Sequence, residues 1–211
     1  MTLSPRHQQT FITYLLENRA LLQESHSCTK VRVDFALDTG IILLALAHLC
    51  PTPIQSIEFA TSGAFPPDLG DRFESQLKEV TSGFAIQQLG ILPLTGPHLQ
   101  MVLLRTFSNV TSVTIHAGLT HEEWSGVIEF PQLLSATLVE LDWTVGQNIY
   151  GIFHRYIDAP YLRDLTLVGN LRQRHVMIPT LLGKFAARLE SLRLVDDTFP
   201  SEGERSAVAQ S

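Results

Sequence analysis

A six-residue pattern recurs along the chain and reads apolar-x-x-apolar-x-apolar, where x is mostly polar. Its seven occurrences, called hexads below, are Cys28–Val33, Ile54–Phe59, Ile86–Ile91, Val110–Ile115, Leu138–Trp143, Leu162–Leu167 and Leu189–Leu194. Apolar residues at alternate positions line one face of a β-strand, so each hexad predicts a short strand with one buried face. The predicted strands span residues 30–36, 55–60, 86–92, 112–117, 139–145, 163–168 and 190–195.

Between the hexads, apolar residues recur at the spacing of amphipathic helices. The predicted helices span residues 38–50, 68–80, 97–107, 147–156 and 178–187. A helix between two strands returns the chain, so that the second strand can lie parallel to the first. The alternation therefore predicts an α/β protein with a parallel sheet.

The spacing of the hexads indicates how the strands and helices are arranged. Their central apolar residues lie at positions 31, 57, 89, 113, 141, 165 and 192, with separations of 26, 32, 24, 28, 24 and 27 residues. The average of about 27 falls within the period of roughly 20–29 residues of leucine-rich repeats. One such unit cannot bury its own apolar face, so units must stack. We expect a leucine-rich-repeat-like solenoid, with about seven parallel strands on one face and helices on the other.

The polar positions of the hexads favour this solenoid over a doubly wound sheet, which is the alternative fold. A doubly wound sheet has helices on both faces, so its strands are apolar on both sides. Here the x positions are mostly polar, and they include Lys30, Arg32, Ser56, Glu58, Gln88, Ser112, Thr114, Glu140, Asp142, Asp164, Thr166 and Arg193. We therefore expect one face of the sheet to be in contact with water.

The hexads and their irregular spacing resemble a degenerate leucine-rich-repeat array, similar to the repeat region of fungal F-box/leucine-rich-repeat proteins. The resemblance covers about Cys28 to Leu194, and no F-box stretch is visible. It implies a protein–protein interaction scaffold. By analogy with that family, it also implies substrate recognition in ubiquitination.

The chain divides into three predicted regions. Residues 1–27 contain a helix that begins near Ser4-Pro5 and would cover the first strand as a cap. Residues 28–200 form the leucine-rich-repeat-like domain. Residues 201–211 are small and polar, which predicts a disordered tail.

Composition narrows the classes of partner and the compartment. The chain carries 15 basic and 21 acidic residues, which argues against non-specific nucleic-acid binding. Its most apolar run, Ile41–Cys50, is too short for a membrane-spanning helix of about 20 residues, and no signal peptide is apparent. Two cysteines form neither a disulfide framework nor a zinc motif. We expect an intracellular protein, cytoplasmic or nuclear, that binds neither membranes nor nucleic acid.

The predicted functional surface is the exposed face of the strands. The sequence contains no nucleophile motif, phosphate loop, dinucleotide fingerprint or metal cluster, so we expect no enzymatic activity, no catalytic residues, no cofactor and no metal. Glu140, Asp142 and Asp164 should lie close together on neighbouring strands as an acidic patch. Lys30 and Arg32 should lie at one end of this face and Arg193 at the other. These six residues predict a site for a protein with basic segments, although ordinary solvated polarity would give the same pattern.

Two alternatives to the interaction scaffold remain open, and one edge of the sheet calls for a partner. An α/β enzyme would have its site at the carboxyl ends of the strands, where Asp38, His116 and Asp196 are the candidates. The chain could also be a truncated repeat protein without independent activity. The seventh strand has an edge that a partner or missing repeats would cover.

Overall fold

A computed structural model of the chain describes residues 30–35, 54–61, 75, 77–78, 85–92, 97–117, 126–140, 149–171 and 176–196. Its elements, in chain order, are β1 (Lys30–Phe35), β2 (Ser56–Thr61), β3 (Gln88–Ile91), α1 (Pro97–Thr106), β4 (Ser112–Ala117), β5 (Ile128–Glu129), β6 (Ser135–Glu140), α2 (Ile149–Tyr156), β7 (Ile157–Asp158), β8 (Asp164–Gly169), α3 (Met177–Phe185) and β9 (Ser191–Asp196). Residues 75, 77 and 78 are also helical.

The strands form one large parallel sheet and one small one. The large sheet has seven strands in the order β1-β2-β3-β4-β6-β8-β9, and β5 pairs with β7 in the small sheet. Every pairing is parallel. The predicted α/β class and parallel sheet are confirmed. Six predicted strands and the three predicted helices that fall in the described residues agree with the structure to within two residues at each end.

A backbone hydrogen-bond ladder aligns the strands at their amino ends. The carbonyl oxygen of the second residue of one hexad accepts bonds from the second and third N–H groups of the next hexad. The acceptors are Gln55, Gln87, Thr111, Leu134 and Arg163, and all ten N···O distances lie between 2.7 and 3.1 Å. Five successive strand pairs therefore share the same pair of backbone hydrogen bonds, and all five have the same register.

A turn precedes three of the central strands and extends the hexad pattern by three residues. The N–H groups of Val110, Leu133 and Leu162 donate to the carbonyl oxygens three residues earlier, at 3.3–3.4 Å. Those earlier residues, Phe107, Phe130 and Ala159, are buried in the core. The repeated unit is thus longer than the hexad, and it begins with a buried residue in the turn.

The fifth hexad was assigned to the wrong residues. Val113 on β4 and Leu165 on β8 both align with Ala136, so β6 spans Ser135–Glu140 and the fifth hexad is Leu133–Leu138. Its three apolar residues are buried to 1% exposure or less. The prediction shifted the hexad by five residues, because Leu138–Trp143 has the same alternation. An odd shift exchanges the two faces of a strand.

The helices cover one face of the sheet. Inward hexad residues and apolar residues of all three helices belong to a single buried cluster, to which the helices contribute Leu99, Met101, Leu103, Leu104, Ile149, Tyr150, Phe153, Leu181 and Phe185. Leu77, which falls within the predicted 68–80 helix, is helical and fully buried in the same core. The polar hexad residues lie outside this cluster, on the opposite face of the sheet.

Lys184 on α3 ties that helix to the end of α2. The last carbonyl groups of a helix have no partner within the helix, and a cation there is also favoured by the helix dipole. The Lys184 ammonium donates to the carbonyl oxygens of His154 at 2.7 Å and Ile157 at 2.6 Å. Burial lowers the pKa of Lys184, and the carboxylate of Asp158 opposes this shift. The side chain thus joins α3 to the end of α2 in the helix layer.

The last strand has the register of the others but not their burial. Leu192 and Leu194 on β9 are 42% and 51% exposed, whereas their neighbours Leu165 and Leu167 on β8 are 1% and 0% exposed. The expectation that a partner or further repeats cover this edge stays a prediction, and the exposure is consistent with it.

Several predictions lie outside the described residues. These are the cap in residues 1–27, the tail in residues 201–211, the 38–50 helix, Asp38 and Asp142. Within the part of the chain that is described, no helix is long and apolar enough to cross a membrane.

Candidate functional site on the exposed face of the sheet

Strand alternation and register arrange the polar hexad residues in two rows across the sheet. The serine row contains Lys30, Ser56, Gln88, Ser112, Ser135, Asp164 and Ser191. The threonine row contains Arg32, Glu58, Gly90, Thr114, Thr137, Thr166 and Arg193. All of these residues are exposed or half-buried. These two rows are therefore polar and mostly uncharged, while the next row toward the carboxyl ends of the strands contains His116, Val139, Val168 and Val195.

Four of the six predicted partner-binding residues lie on this face, at its two ends. Lys30 and Arg32 are on β1, while Asp164 and Arg193 are on β8 and β9. Neighbouring strands are about 4.8 Å apart, so the five steps from β1 to β8 separate the two groups by roughly 24 Å. The structure thus places Lys30 and Arg32 at one end of the face and Arg193 at the other.

The predicted acidic patch is wrong in the position of Glu140. Glu140 follows Ala136 and Leu138 at alternate positions, and it points to the helix side with 8% exposure. It lies beside Gly169, where an added Cβ would be 3.0 Å from the Glu140 Cβ and 3.3 Å from the Tyr150 hydroxyl. The five-residue error in β6 explains the reversal. With Glu140 buried, Asp164 is the one carboxylate of the predicted three that the described surface presents.

A recess interrupts the face between β2 and β4. It has a volume of about 140 Å³ and is bordered by Lys30, Ser56, Ile57, Glu58, Gln88, Leu89, Gly90, Leu92, Ser112, Thr114 and His116. Gly90 opens it, because the threonine row has no side chain at this point. An added Cβ on Gly90 would come within 3.0 Å of the Glu58 Cγ, so Glu58 leans over the glycine.

Glu58 and His116 stand on opposite sides of this recess. The Glu58 carboxylate lies 3.9 Å from the Lys30 ammonium and 3.5 Å from the Arg32 guanidinium. Its side chain is 24% exposed, while those of Lys30 and Arg32 are mostly exposed. Burial lowers the pKa of His116 below 6.5, and the nearby Glu58 charge opposes the shift. His116 is therefore mainly neutral at pH 7.

The sequence predicted that five residues of the recess lie on the exposed face of the sheet, namely Ser56, Glu58, Gln88, Ser112 and Thr114. It did not predict the recess itself. The available signal was Gly90. It occupies the fifth hexad position, where β1, β2 and β4 carry Arg, Glu and Thr. A missing side chain within a row of polar side chains predicts a local depression.

The two candidates for an enzyme site that the structure describes do not converge. His116 on β4 and Asp196 on β9 are separated by three strand steps, or roughly 14 Å. Ser112 and His116 both border the recess, but they are four residues apart along one strand, a distance of roughly 13 Å. This exceeds the reach of a nucleophile–base hydrogen bond.

No group of three potential metal ligands occurs among the residues that the structure describes. The chain matches no protein-family model, no curated protein and no solved structure. The class of protein therefore follows from the coordinates alone. It is an α/β protein with a seven-stranded parallel sheet, helices packed on one face, and two rows of polar residues on the other.

Proposed function

We propose that the chain is a leucine-rich-repeat-type solenoid that binds a protein partner through the serine and threonine rows of its sheet. The observation that carries the proposal is the polar sheet face, which no described helix covers. The second support is the repeated backbone ladder, which joins five successive strand interfaces in the same way. A stacked array of this kind presents an extended surface on which each strand contributes side chains at regular spacing.

The preference for a partner with basic segments depended on the predicted acidic patch. Because Glu140 faces the helices, the described residues no longer support that preference. The described charges of the face are Lys30, Arg32 and Glu58 at one end, and Asp164 and Arg193 at the other. The central strands β4 and β6 present hydroxyl groups. We therefore propose a partner that meets the centre of the face through neutral polar groups, with charge complementarity limited to the ends.

Affinity capture with mass spectrometry tests this proposal, using two variants that add the same charge in different places. Thr137→Arg places a guanidinium in the centre of the threonine row. Gly183→Arg places one on α3, where an added Cβ meets no atom within 4 Å. We expect Thr137→Arg to lose a partner that wild type and Gly183→Arg retain.

Two results of the capture would count against the interaction surface. One is a partner set that Thr137→Arg leaves unchanged, and the other is the recovery of no specific partner by wild type. Urea unfolding of both variants checks that any loss comes from the surface rather than from the fold. The same capture addresses the ubiquitination analogy, which predicts ligase subunits among the partners.

A further inference from the structure

We infer that the recess above Gly90 accepts a single carboxamide side chain, asparagine or glutamine, from the partner. This inference rests on the proposed function and adds a specificity site to the interaction face. It is carried by the volume of the recess, by the absence of a side chain at Gly90, and by the chemistry of the groups around it.

The size of the recess limits the ligand to the end of one side chain. A cavity of roughly 150 Å³ holds a molecule about as large as benzene. The recess, at about 140 Å³, is comparable and opens onto the sheet face. It suits a short branched polar group whose methylene stem would pass Leu92 at the border.

Neither a cation nor an anion matches the surroundings of the recess. A cation would meet Lys30 and Arg32 close to Glu58, and on the other side the partly buried, neutral ring of His116. An anion would meet the Glu58 carboxylate, whose side chain is only 24% exposed. Because the Glu58 carboxylate already faces Lys30 and Arg32, a cation would have to compete with them, and an anion near Lys30 would be repelled by Glu58, while either would lose hydration.

A carboxamide matches the groups that remain. Its oxygen accepts hydrogen bonds, and its NH₂ group donates two. Ser112 and Thr114 offer hydroxyls that donate and accept, and Gln88 offers an amide that does both. Neutral His116 provides one donor and one acceptor nitrogen, and Glu58 provides acceptor oxygens. Both ends of the carboxamide can therefore be paired within the recess.

An NMR titration of the ¹⁵N-labelled full chain tests the inference without any partner protein. The probes are the N-methylamides of N-acetyl-glutamine, N-acetyl-glutamate and N-acetyl-lysine. We expect saturable shifts of the Gly90 and Thr114 amide signals with the glutamine probe. Binding of the charged probes should be weaker by at least about three-fold, the effect of one neutral hydrogen bond.

Matched variants separate the recess from the rest of the face. Gly90→Ala adds a methyl group at the base of the recess, 3.0 Å from the Glu58 Cγ, at a position where glycine geometry is not required, and should abolish saturable binding of the glutamine probe. Gly183→Ala should leave it unchanged. Thr114→Val removes one hydroxyl and should weaken binding about three- to ten-fold. Thr137→Val makes the same change outside the recess and should have no effect.

Three results would overturn the inference, namely tighter binding of the lysine probe, tighter binding of the glutamate probe, or no saturable shift with any probe. Equal effects of Thr114→Val and Thr137→Val would also overturn it. If the titration fails but Thr137→Arg still loses a captured partner, only the carboxamide site is wrong. If the titration succeeds and no partner is captured, the proposed function is wrong and the recess stands as a small-molecule site.

Discussion

Strands β8 and β9 are neighbours with the same hexad, the same register and the same carbonyl ladder, yet they differ in burial. The inward leucines of β8 are fully buried, while Leu192 and Leu194 on β9 are about half exposed. The hexad thus determines which way a side chain points, and the neighbouring unit determines whether that side chain leaves water. Stability should follow the second property rather than the first.

The largest expected effect compares the same substitution on the two strands. Leu167→Ala removes a side chain with 0% exposure and should lower the free energy of unfolding by about 2–5 kcal/mol. Leu194→Ala, at 51% exposure, should cost less than about 1 kcal/mol, because much of its side chain is already in water. Urea unfolding measures both values. Equal costs would mean that β9 is covered in solution.

A second comparison uses two glycines in this half of the molecule. Gly169 ends β8 with φ +143°, and an added Cβ would lie 3.1 Å from the Glu140 carbonyl oxygen. Gly169→Ala should therefore destabilise by about 1–3 kcal/mol. Gly183→Ala lies in open space on a helix and should stabilise by up to about 1 kcal/mol. Thermal unfolding distinguishes the signs, and stabilisation by Gly169→Ala would contradict the close approach.

The link between α2 and α3 should contribute less. Lys184→Met keeps the aliphatic stem but removes the donor to the carbonyl oxygens of His154 and Ile157. We expect a loss of about 1–2 kcal/mol, below the range for fully buried charged bonds because the side chain is partly exposed. Hydrogen exchange should also speed up at the end of α2. Unchanged exchange there would show that Lys184 does not hold the helix end.

The smallest effect concerns pH on the exposed face of an inner strand. Because the pKa of His116 is lowered in the folded chain, the unfolded chain binds more protons between that pKa and 6.5. Stability should therefore fall as pH decreases through this window. His116→Gln removes this contribution. Between pH 7.5 and pH 5, the free energy of unfolding should therefore fall more for wild type than for the variant. A constant difference would contradict the burial of His116.

The sequence predicted the sheet well because its strands depend on alternation, which is a local property. It failed at β6, where Ala136 occupies the centre of the true hexad, whereas the downstream segment carries larger apolar residues, Leu138, Leu141 and Trp143, at the same spacing. Phe130, three residues before Leu133, was the missing signal, because Phe107 stands in the same relation to Val110. Apolarity alone does not identify a register when a small residue packs at the centre.

The site was predicted less well, because it depends on relations between strands. Lys30, Arg32, Asp164 and Arg193 were placed correctly, since their own hexads were aligned. Glu140 was not, because one odd shift reverses a face. The recess needs the absence of a side chain on β3 and the conformation of Glu58 on β2, and neither property is visible in the alternation of a single strand.

The carbonyl ladder has a consequence for how such a chain changes length over generations. Its bonds use only main-chain atoms, so alignment passes from strand to strand whatever residues occupy the intervening loops. The aligned centres are separated by between 23 residues, from Val113 to Ala136, and 32 residues, from Ile57 to Leu89. Duplication or loss of a whole strand-and-helix unit would therefore leave the remaining strands in the same register. Variants that arise by unequal recombination could then still fold.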